Sequence, residues 1–99
     1  MAIAEITVIP VGTGDTSVSA YVAECQKVLE SQKAIKYQLT PMGTVIEGEM
    51  NVLLKTFQKL HEVPFQKGAQ RVVTSIRIDD RRDKKGTMDQ KINSVIHKM

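Results

Sequence analysis

One short stretch in the middle of the chain carries most of the residues whose types could do chemistry. Residues 37–49 contain an aromatic ring at Tyr37, a hydroxyl at Thr44 and carboxylates at Glu47 and Glu49. Groups of these types on short, rigid elements can hold a small polar ligand. The stretch therefore predicts a pocket for a small polar molecule.

The two carboxylates have two interpretations. Glu47 and Glu49 are one residue apart, so on a continuing strand they project from the same face and could act as general acid and base. No nucleophile or electrophile accompanies them. Alternatively, Glu49 starts a helix, where the helix dipole favours a carboxylate. Glu47 would then form an ion pair across the sheet with Lys36 or Arg77.

Other catalytic and metal-binding patterns are missing from the sequence. His61 and His97 lie on separate predicted helices and lack the spacing of a zinc site. The Gly-Thr-Gly at 12–14 has the position of a phosphate loop but lacks a third glycine or a Gly-Lys-Ser/Thr ending, which favours a flexible connection. The single cysteine, Cys25, falls on an apolar helix face and is expected to be a core residue. We expect no catalytic residue, no metal and no cofactor.

Length and composition limit the remaining classes. With 99 residues, of which 41% are hydrophobic and 25% charged, the chain is expected to form one domain, 1–99. The net charge is +3, but acidic and basic residues are interleaved, so no nucleic-acid partner is expected. No run approaches the ~20 apolar residues of a membrane span. The N-terminus lacks a basic region followed by an apolar one, which favours a cytoplasmic protein.

Hydrophobic periodicity predicts the elements that position the candidate site. The order is strand, helix, strand, strand, helix, strand, helix, with Pro64 interrupting the second helix and Gly68 ending it. The predicted ranges are 2–11, 18–32, 35–40, 44–48, 50–68, 71–79 and 87–98. This order is typical of an α+β, ferredoxin-like βαββαβ fold with a four-stranded antiparallel sheet and an extra C-terminal helix.

The register of the hairpin decides which candidate residues meet. A two- or four-residue loop at Pro41 puts Tyr37 on the same sheet face as Thr44 and Gly48, with Glu47 opposite, whereas a three-residue loop reverses this. Tyr37 has the spacing of a core aromatic residue, yet its hydroxyl and that of Thr44 need partners. Because Gly48 has no side chain, these groups predict a small polar cavity between sheet and helices.

Both crossover helices of this fold cover one sheet face and leave the other open. The open face carries Ile3, Ile9 and Val73, which is too apolar for solvent alone. We expect it to pack against a second sheet in a dimer, with the C-terminal helix, 87–98, as a further oligomer contact. The alternative is a monomer whose last helix folds back over this face. The charged run at 79–86 is either a solvated turn or a salt-bridge site between subunits.

Five segments carry a resemblance to a known family. The most specific is MGTVIEG at 42–48, within the candidate stretch. The others are ITVIPVG at 6–12, SVSAYV at 17–22, GAQRV at 68–72 and DDRRD at 79–83. Together they resemble the thiamine-binding protein family, the MTH1187 and YkoF-like proteins, which was formerly an uncharacterised protein family.

The resemblance implies a ferredoxin-like homo-oligomer, a dimer and often a tetramer, that binds thiamine or its hydroxymethylpyrimidine moiety without catalysis. By motif it assigns Thr44, Glu47 and Gly48 to the ligand-binding site, with Ser19 and Tyr37 beside it. Glu47 would accept hydrogen bonds from the exocyclic amine, and Tyr37 would stack on a ring. Two alternatives remain: an enzyme that uses Glu47, and a structural or regulatory oligomer or protein-interaction module.

Overall fold

The computed structural model describes residues 1–12, 14, 19–83 and 88–99. Its four strands form one antiparallel sheet in the order β2-β3-β1-β4. The elements are β1 (Ala2–Pro10), α1 (Ser19–Glu30), β2 (Lys36–Thr40), β3 (Gly43–Gly48), α2 (Met50–Gln66), β4 (Val72–Asp80) and α3 (Met88–Lys98). This arrangement confirms the α+β, ferredoxin-like prediction with its extra C-terminal helix.

Helix α2 departs from the sequence prediction at Pro64. The prediction that this proline interrupts the helix was wrong, because α2 continues through it to Gln66. Pro64 lies in the last turn, where the missing N–H removes one bond and leaves the rest of the helix intact. The helix ends as predicted near Gly68, whose positive φ of 97° permits the turn.

The core lies between the sheet and the first two helices. Ala2, Ala4 and Ile6 of β1 point to this side together with Ile46 of β3. From the helices, the core takes Leu29 of α1 and three residues of α2, namely Leu53, Phe57 and Leu60. The two alanines leave room for the larger residues of α2. We call this side of the sheet the helix face.

The opposite side of the sheet, the open face, is covered only at one end. Lys36, Glu47, Ile3 and Asp79 lie opposite one another in a row across the four strands. Lys36 donates a hydrogen bond to Asp89 at the start of α3 (2.7 Å), and Lys91 of α3 is bonded to Asp79. The first turn of α3 is therefore held over this row.

The rest of α3 projects away from these contacts. Met88, the first residue of the helix, is buried. The apolar residues that follow it are 50–97% exposed, namely Ile92, Val95, Ile96 and Met99. Among the described residues, the helix therefore contacts the open face only through its first turn.

Candidate functional site

The β2–β3 hairpin has a two-residue loop, one of the two lengths that place Tyr37 and Thr44 on the same sheet face. Thr40 lies opposite Gly43, and Leu39 lies opposite Thr44, so only Pro41 and Met42 form the loop. A Cβ on Gly43 would come within 2.9 Å of the Thr7 hydroxyl oxygen, so this position needs glycine. The register places Thr44 on the helix face.

The same register separates the predicted site residues. Tyr37 lies opposite Ile46 and shares the helix face with Thr44, whereas Glu47 points to the open face. A single pocket within one subunit therefore cannot use Thr44 and Glu47 together.

A pocket of about 420 Å³ lies between α1 and the helix face, beside the hairpin loop. We call it the α1 pocket. This volume is within the range that small-molecule sites occupy. Among the described residues, its lining carries no charged side chain: Ile6, Thr7, Val8, Ile9, Tyr21, Val22, Cys25, Gln26, Leu29, Leu39, Thr40, Pro41, Met42, Gly43, Thr44 and Leu60. The arrangement suits a neutral ligand with few polar groups.

The polar groups of the α1 pocket differ in whether they already have partners. Thr40 donates a hydrogen bond to the Gly43 carbonyl at 2.8 Å, and Thr7 donates one to the Met42 carbonyl at 3.4 Å. The side-chain nitrogen of Gln26 is shielded from solvent and has no hydrogen-bond partner among the described residues. Because this nitrogen has no surface accessible to water, it does not face the water-accessible pocket.

Gln26 was not among the predicted site residues, although its position in the sequence carries a signal. Val22, Gln26 and Leu29 are spaced four and three residues apart, so they share one face of α1. A polar residue between two apolar ones on a core-facing stripe needs a partner. The pattern therefore indicates an unusual polar position on α1, which the structure places in the lining of the α1 pocket.

Cys25 also lines the α1 pocket and is half-buried. Burial raises the pKa of its thiol, and the neighbouring Glu24 carboxylate raises it further. The thiol is therefore protonated at neutral pH, which fits the expectation of a core residue rather than a nucleophile.

The remaining helix-face candidates lie outside the lining of this pocket. Tyr37 is half-buried and packs against the core. A Cβ on Gly48 would meet Ile35 at 3.1 Å and Leu53 at 3.5 Å, so the cavity expected at Gly48 is absent because these side chains fill it. Ser19 is the first residue of α1, and its side chain lies outside the described part of the chain.

Glu47 is buried on the open face beneath the start of α3. Its residue exposure is only 6%, and its Oε2 atom has no hydrogen-bond partner among the described residues. The ion pair expected with Lys36 or Arg77 is not among the salt bridges of these residues. Lys36 instead pairs with Asp89, whose hydrogen bond raises the Lys36 pKa.

Glu49 lies at the start of a helix, as the second interpretation of the two carboxylates predicted. Strand β3 ends at Gly48, and Glu49 is the N-cap residue of α2, although its side chain makes no capping hydrogen bond. One carboxylate oxygen lies 3.8 Å from the amino group of Met1. Glu47 and Glu49 therefore do not form a carboxylate pair on one strand face.

A larger cavity, of about 920 Å³, lies at the N-terminal end of α2. Its lining includes Arg81 and Arg82, the most basic groups near it. Arg81 pairs with Asp83 at 2.6 Å, and Arg82 pairs with Asp80 at 2.8 Å. Since both guanidinium groups already have carboxylate partners, this cavity is a weaker candidate for an anion site than its size suggests.

The histidines do not form a metal site in the described part of the chain. The Nδ1 atom of His61 lies 2.7 Å from the hydroxyl oxygen of Thr74, and the ring packs edge-on against Phe65. Within residues 1–12, 14, 19–83 and 88–99, no group of three His, Cys, Asp or Glu side chains is placed to hold a metal ion. In the same ranges, none of the helices combines the length and the apolar character needed to cross a membrane.

The fold and the α1 pocket define a ferredoxin-like α+β protein with a ligand-sized, uncharged pocket beneath its first helix. Comparison with known families goes one step further. A family model described as thiamine-binding protein matches residues 4–96. The chain belongs to this family, as the sequence motifs predicted.

Individual relatives agree with this assignment. UPF0045 protein YqgV of Bacillus subtilis is 62% identical over 98 residues, covering 96% of this chain and 94% of the relative. The structure of MJ1052 from Methanocaldococcus jannaschii aligns with a TM-score of 0.84 at 36% identity, covering 95% and 94% of the two chains. TM0486 of Thermotoga maritima, described as a candidate thiamine biosynthesis/salvage protein, aligns with a TM-score of 0.77 over 95% and 97%. At 21% identity, this last likeness shows the fold alone.

Proposed function

We propose that this protein binds thiamine or its hydroxymethylpyrimidine moiety in the α1 pocket without catalysis, for storage, salvage or sensing. The observation that carries the proposal is the pocket itself: about 420 Å³, largely apolar, and uncharged along its described lining. Membership of a family described as thiamine-binding supports the choice of ligand. The description of TM0486 as a candidate thiamine biosynthesis/salvage protein is consistent with it.

Because the described lining carries no charge, the two rings of thiamine would occupy different positions. Thiamine joins a neutral aminopyrimidine to a cationic thiazolium ring, and burying an unpaired cation is costly. In this proposal the pyrimidine enters the α1 pocket and the thiazolium stays at its mouth. Tyr21, which is half-buried and lines the pocket, is then placed for a cation–π contact. Thr44 supplies a hydroxyl to a ring nitrogen.

Isothermal titration with thiamine and with hydroxymethylpyrimidine tests the proposal. We expect both ligands to bind. Val22→Trp should weaken binding at least about tenfold, because Val22 lines the pocket and the indole ring of a tryptophan there would occupy it. Ala23→Trp is the matched control, because Ala23 is exposed on the same helix and does not line the pocket. Absence of heat with either ligand at millimolar concentration contradicts the proposal and favours a structural or regulatory role.

The enzyme alternative assigns the chemistry to Glu47. It predicts that Glu47→Gln abolishes a turnover found in metabolite mixtures while ligand binding persists. Our proposal predicts binding without any turnover, in the wild type and the variant alike. Binding by the Glu47→Gln variant together with loss of a measured turnover would favour the enzyme.

We further propose that the open face forms a homo-oligomer, a dimer by sheet packing that pairs into a tetramer through α3. Ile9 and Val73 lie opposite each other on this face, and each is 46% exposed. Light scattering after size exclusion tests this assembly. Val73→Lys should give monomers, whereas Leu54→Lys, at an exposed apolar residue of α2, should not. Ile96→Asp should stop assembly at the dimer.

A further inference from the structure

One edge of β1 lies open inside the α1 pocket. Strand β3 pairs with β1 as far as Ile6, which lies opposite Thr44, and beyond this pair the neighbouring chain turns away into the hairpin loop. The lining of the pocket continues along β1 from Ile6 to Ile9 without skipping a residue. Successive residues of a strand point to opposite faces, so a pocket that touches four in a row meets the strand along its edge.

The hydrogen bonds of β1 show which residue presents its backbone to this edge. The Val11 N–H donates to the Arg71 carbonyl at 2.9 Å, and the register runs unbroken from that pair to Ala2. In an antiparallel pair, alternate residues bond to the strand opposite, and the residues between them face the other side. Odd-numbered residues of β1 therefore bond to β4, and the N–H and C=O of Val8 point to the side where β3 has ended. Neither group has a partner among the described residues.

A second strand is a poor occupant for this edge, although strand addition is a common use of free β edges. The next residue of β1 whose backbone faces the same side is Pro10, which has no N–H to donate. The edge therefore offers one donor beside one acceptor, both at Val8, in a pocket of about 420 Å³. Such an edge suits a small ligand that carries one acceptor next to one donor, because backbone groups that are closed off from water need partners.

An aminopyrimidine has the complementary edge, since a ring nitrogen that accepts lies next to an exocyclic amine that donates. We propose that the backbone of Val8 recognises this edge of the ligand. The Val8 N–H donates to the ring nitrogen beside the amine, and the Val8 carbonyl accepts from the amine. The inference rests on the proposed function and deepens it. It leaves the Thr44 hydroxyl for the other ring nitrogen, and it assigns the amine to Val8 instead of Glu47, which points to the open face.

Amide hydrogen exchange, followed residue by residue by NMR, tests the inference on the wild type. In the free protein the Val8 amide should exchange faster than those of Thr7 and Ile9, whose N–H groups bond to β4. Saturating hydroxymethylpyrimidine should slow exchange at Val8 at least about tenfold and move its amide proton downfield. The same pyrimidine without its exocyclic amine should bind about tenfold more weakly, because the Val8 carbonyl then lacks a donor. Binding that leaves exchange at Val8 unchanged overturns the inference.

A pair of variants tests the same N–H by isothermal titration. Val8→Pro removes the N–H but no bond to β4, and Pro10 already occupies an equivalent position in the strand. Val8→Ala is the matched variant, because it shortens the same side chain and keeps the N–H. Val8→Pro should bind hydroxymethylpyrimidine at least about tenfold more weakly than Val8→Ala.

Equal binding by the two variants overturns the inference while the proposed function stands. If the wild type binds neither hydroxymethylpyrimidine nor thiamine, both fail. The exchange measurement on the wild type does not depend on the folding of either variant, so it decides the inference even where Val8→Pro is unfolded.

Discussion

The two faces of the sheet bury their residues by different means, and two neighbours in β3 show the contrast. Ile46 points to the helix face, has no exposed surface, and belongs to the continuous apolar core. Glu47 points to the open face, is almost as buried, and keeps an oxygen without a partner. Burial on the helix face is therefore favourable packing, whereas burial at Glu47 costs free energy.

This contrast matches the different roles that we propose for the two faces. The helix face combines a rigid core with the α1 pocket, which is the setting that holds a small ligand in one orientation. The open face combines a buried carboxylate, exposed apolar residues and a helix attached by its first turn. These features are typical of a surface that is completed by another chain.

The largest expected effect is a difference in the free energy of unfolding lost by one substitution on each face of the sheet. Ile46→Ala should lower the free energy of unfolding by about 2–5 kcal/mol, because it leaves a cavity in a packed core. Val45→Ala, at the half-buried neighbour on the open face, should cost about 1 kcal/mol or less. Urea unfolding measures both. Equal losses would show that the open face is as well packed as the helix face.

The second prediction concerns the buried carboxylate. Glu47→Gln should raise the free energy of unfolding by about 1 kcal/mol, because a neutral amide is cheaper to bury than a carboxylate with an unpaired oxygen. Thermal unfolding at neutral pH measures the change. Glu5→Gln, at a half-buried carboxylate on the same face, is the control and should change little. A loss of stability in Glu47→Gln would mean that the attraction between this carboxylate and Lys36 outweighs the cost of burying it.

The sequence predicted the sheet, and it reduced the register of the hairpin to two alternatives, for a physical reason. Side chains alternate along a strand, so a turn of known length fixes which residues share a face. Pro41 and Gly43 marked the position of that turn but left its length open, and the structure has the two-residue loop. Local patterns of this kind are readable because neighbours in sequence determine them.

The pocket depended on contacts between distant residues, so it was harder to predict. The missing side chain of Gly48 indicated space, but Ile35 and Leu53 fill that space. The actual pocket opens where α1 meets the hairpin loop, and its position depends on how the whole helix packs. Pro64 shows the same limit, since its effect on α2 depends on its place in the last turn.

The third prediction tests how α3 is attached to the open face. Asp89→Asn should weaken the contact with Lys36 and let the Lys36 pKa fall toward its ordinary value, since the Asp89 hydrogen bond raises it. Hydrogen exchange along α3 should become faster, and added salt should have a similar effect on the wild type because the pair is exposed. Glu30→Gln, at the exposed end of α1, is the control. Unchanged exchange in Asp89→Asn would show that burial of Met88 suffices to hold the helix.

The smallest expected effect uses Cys25 as a probe of the α1 pocket. Because burial raises its pKa, the thiol should react with iodoacetamide more slowly at pH 7.5 than an unburied cysteine does, and the rate should keep rising above pH 9. Saturating hydroxymethylpyrimidine should slow the reaction further, since Cys25 lines the pocket.

A protein carrying Ala23→Cys and Cys25→Ala is the control, because residue 23 is exposed and outside the lining. Its thiol should react quickly and without protection. Equal protection of both thiols would mean that the ligand acts on α1 as a whole, and protection of neither would move the ligand to the open face.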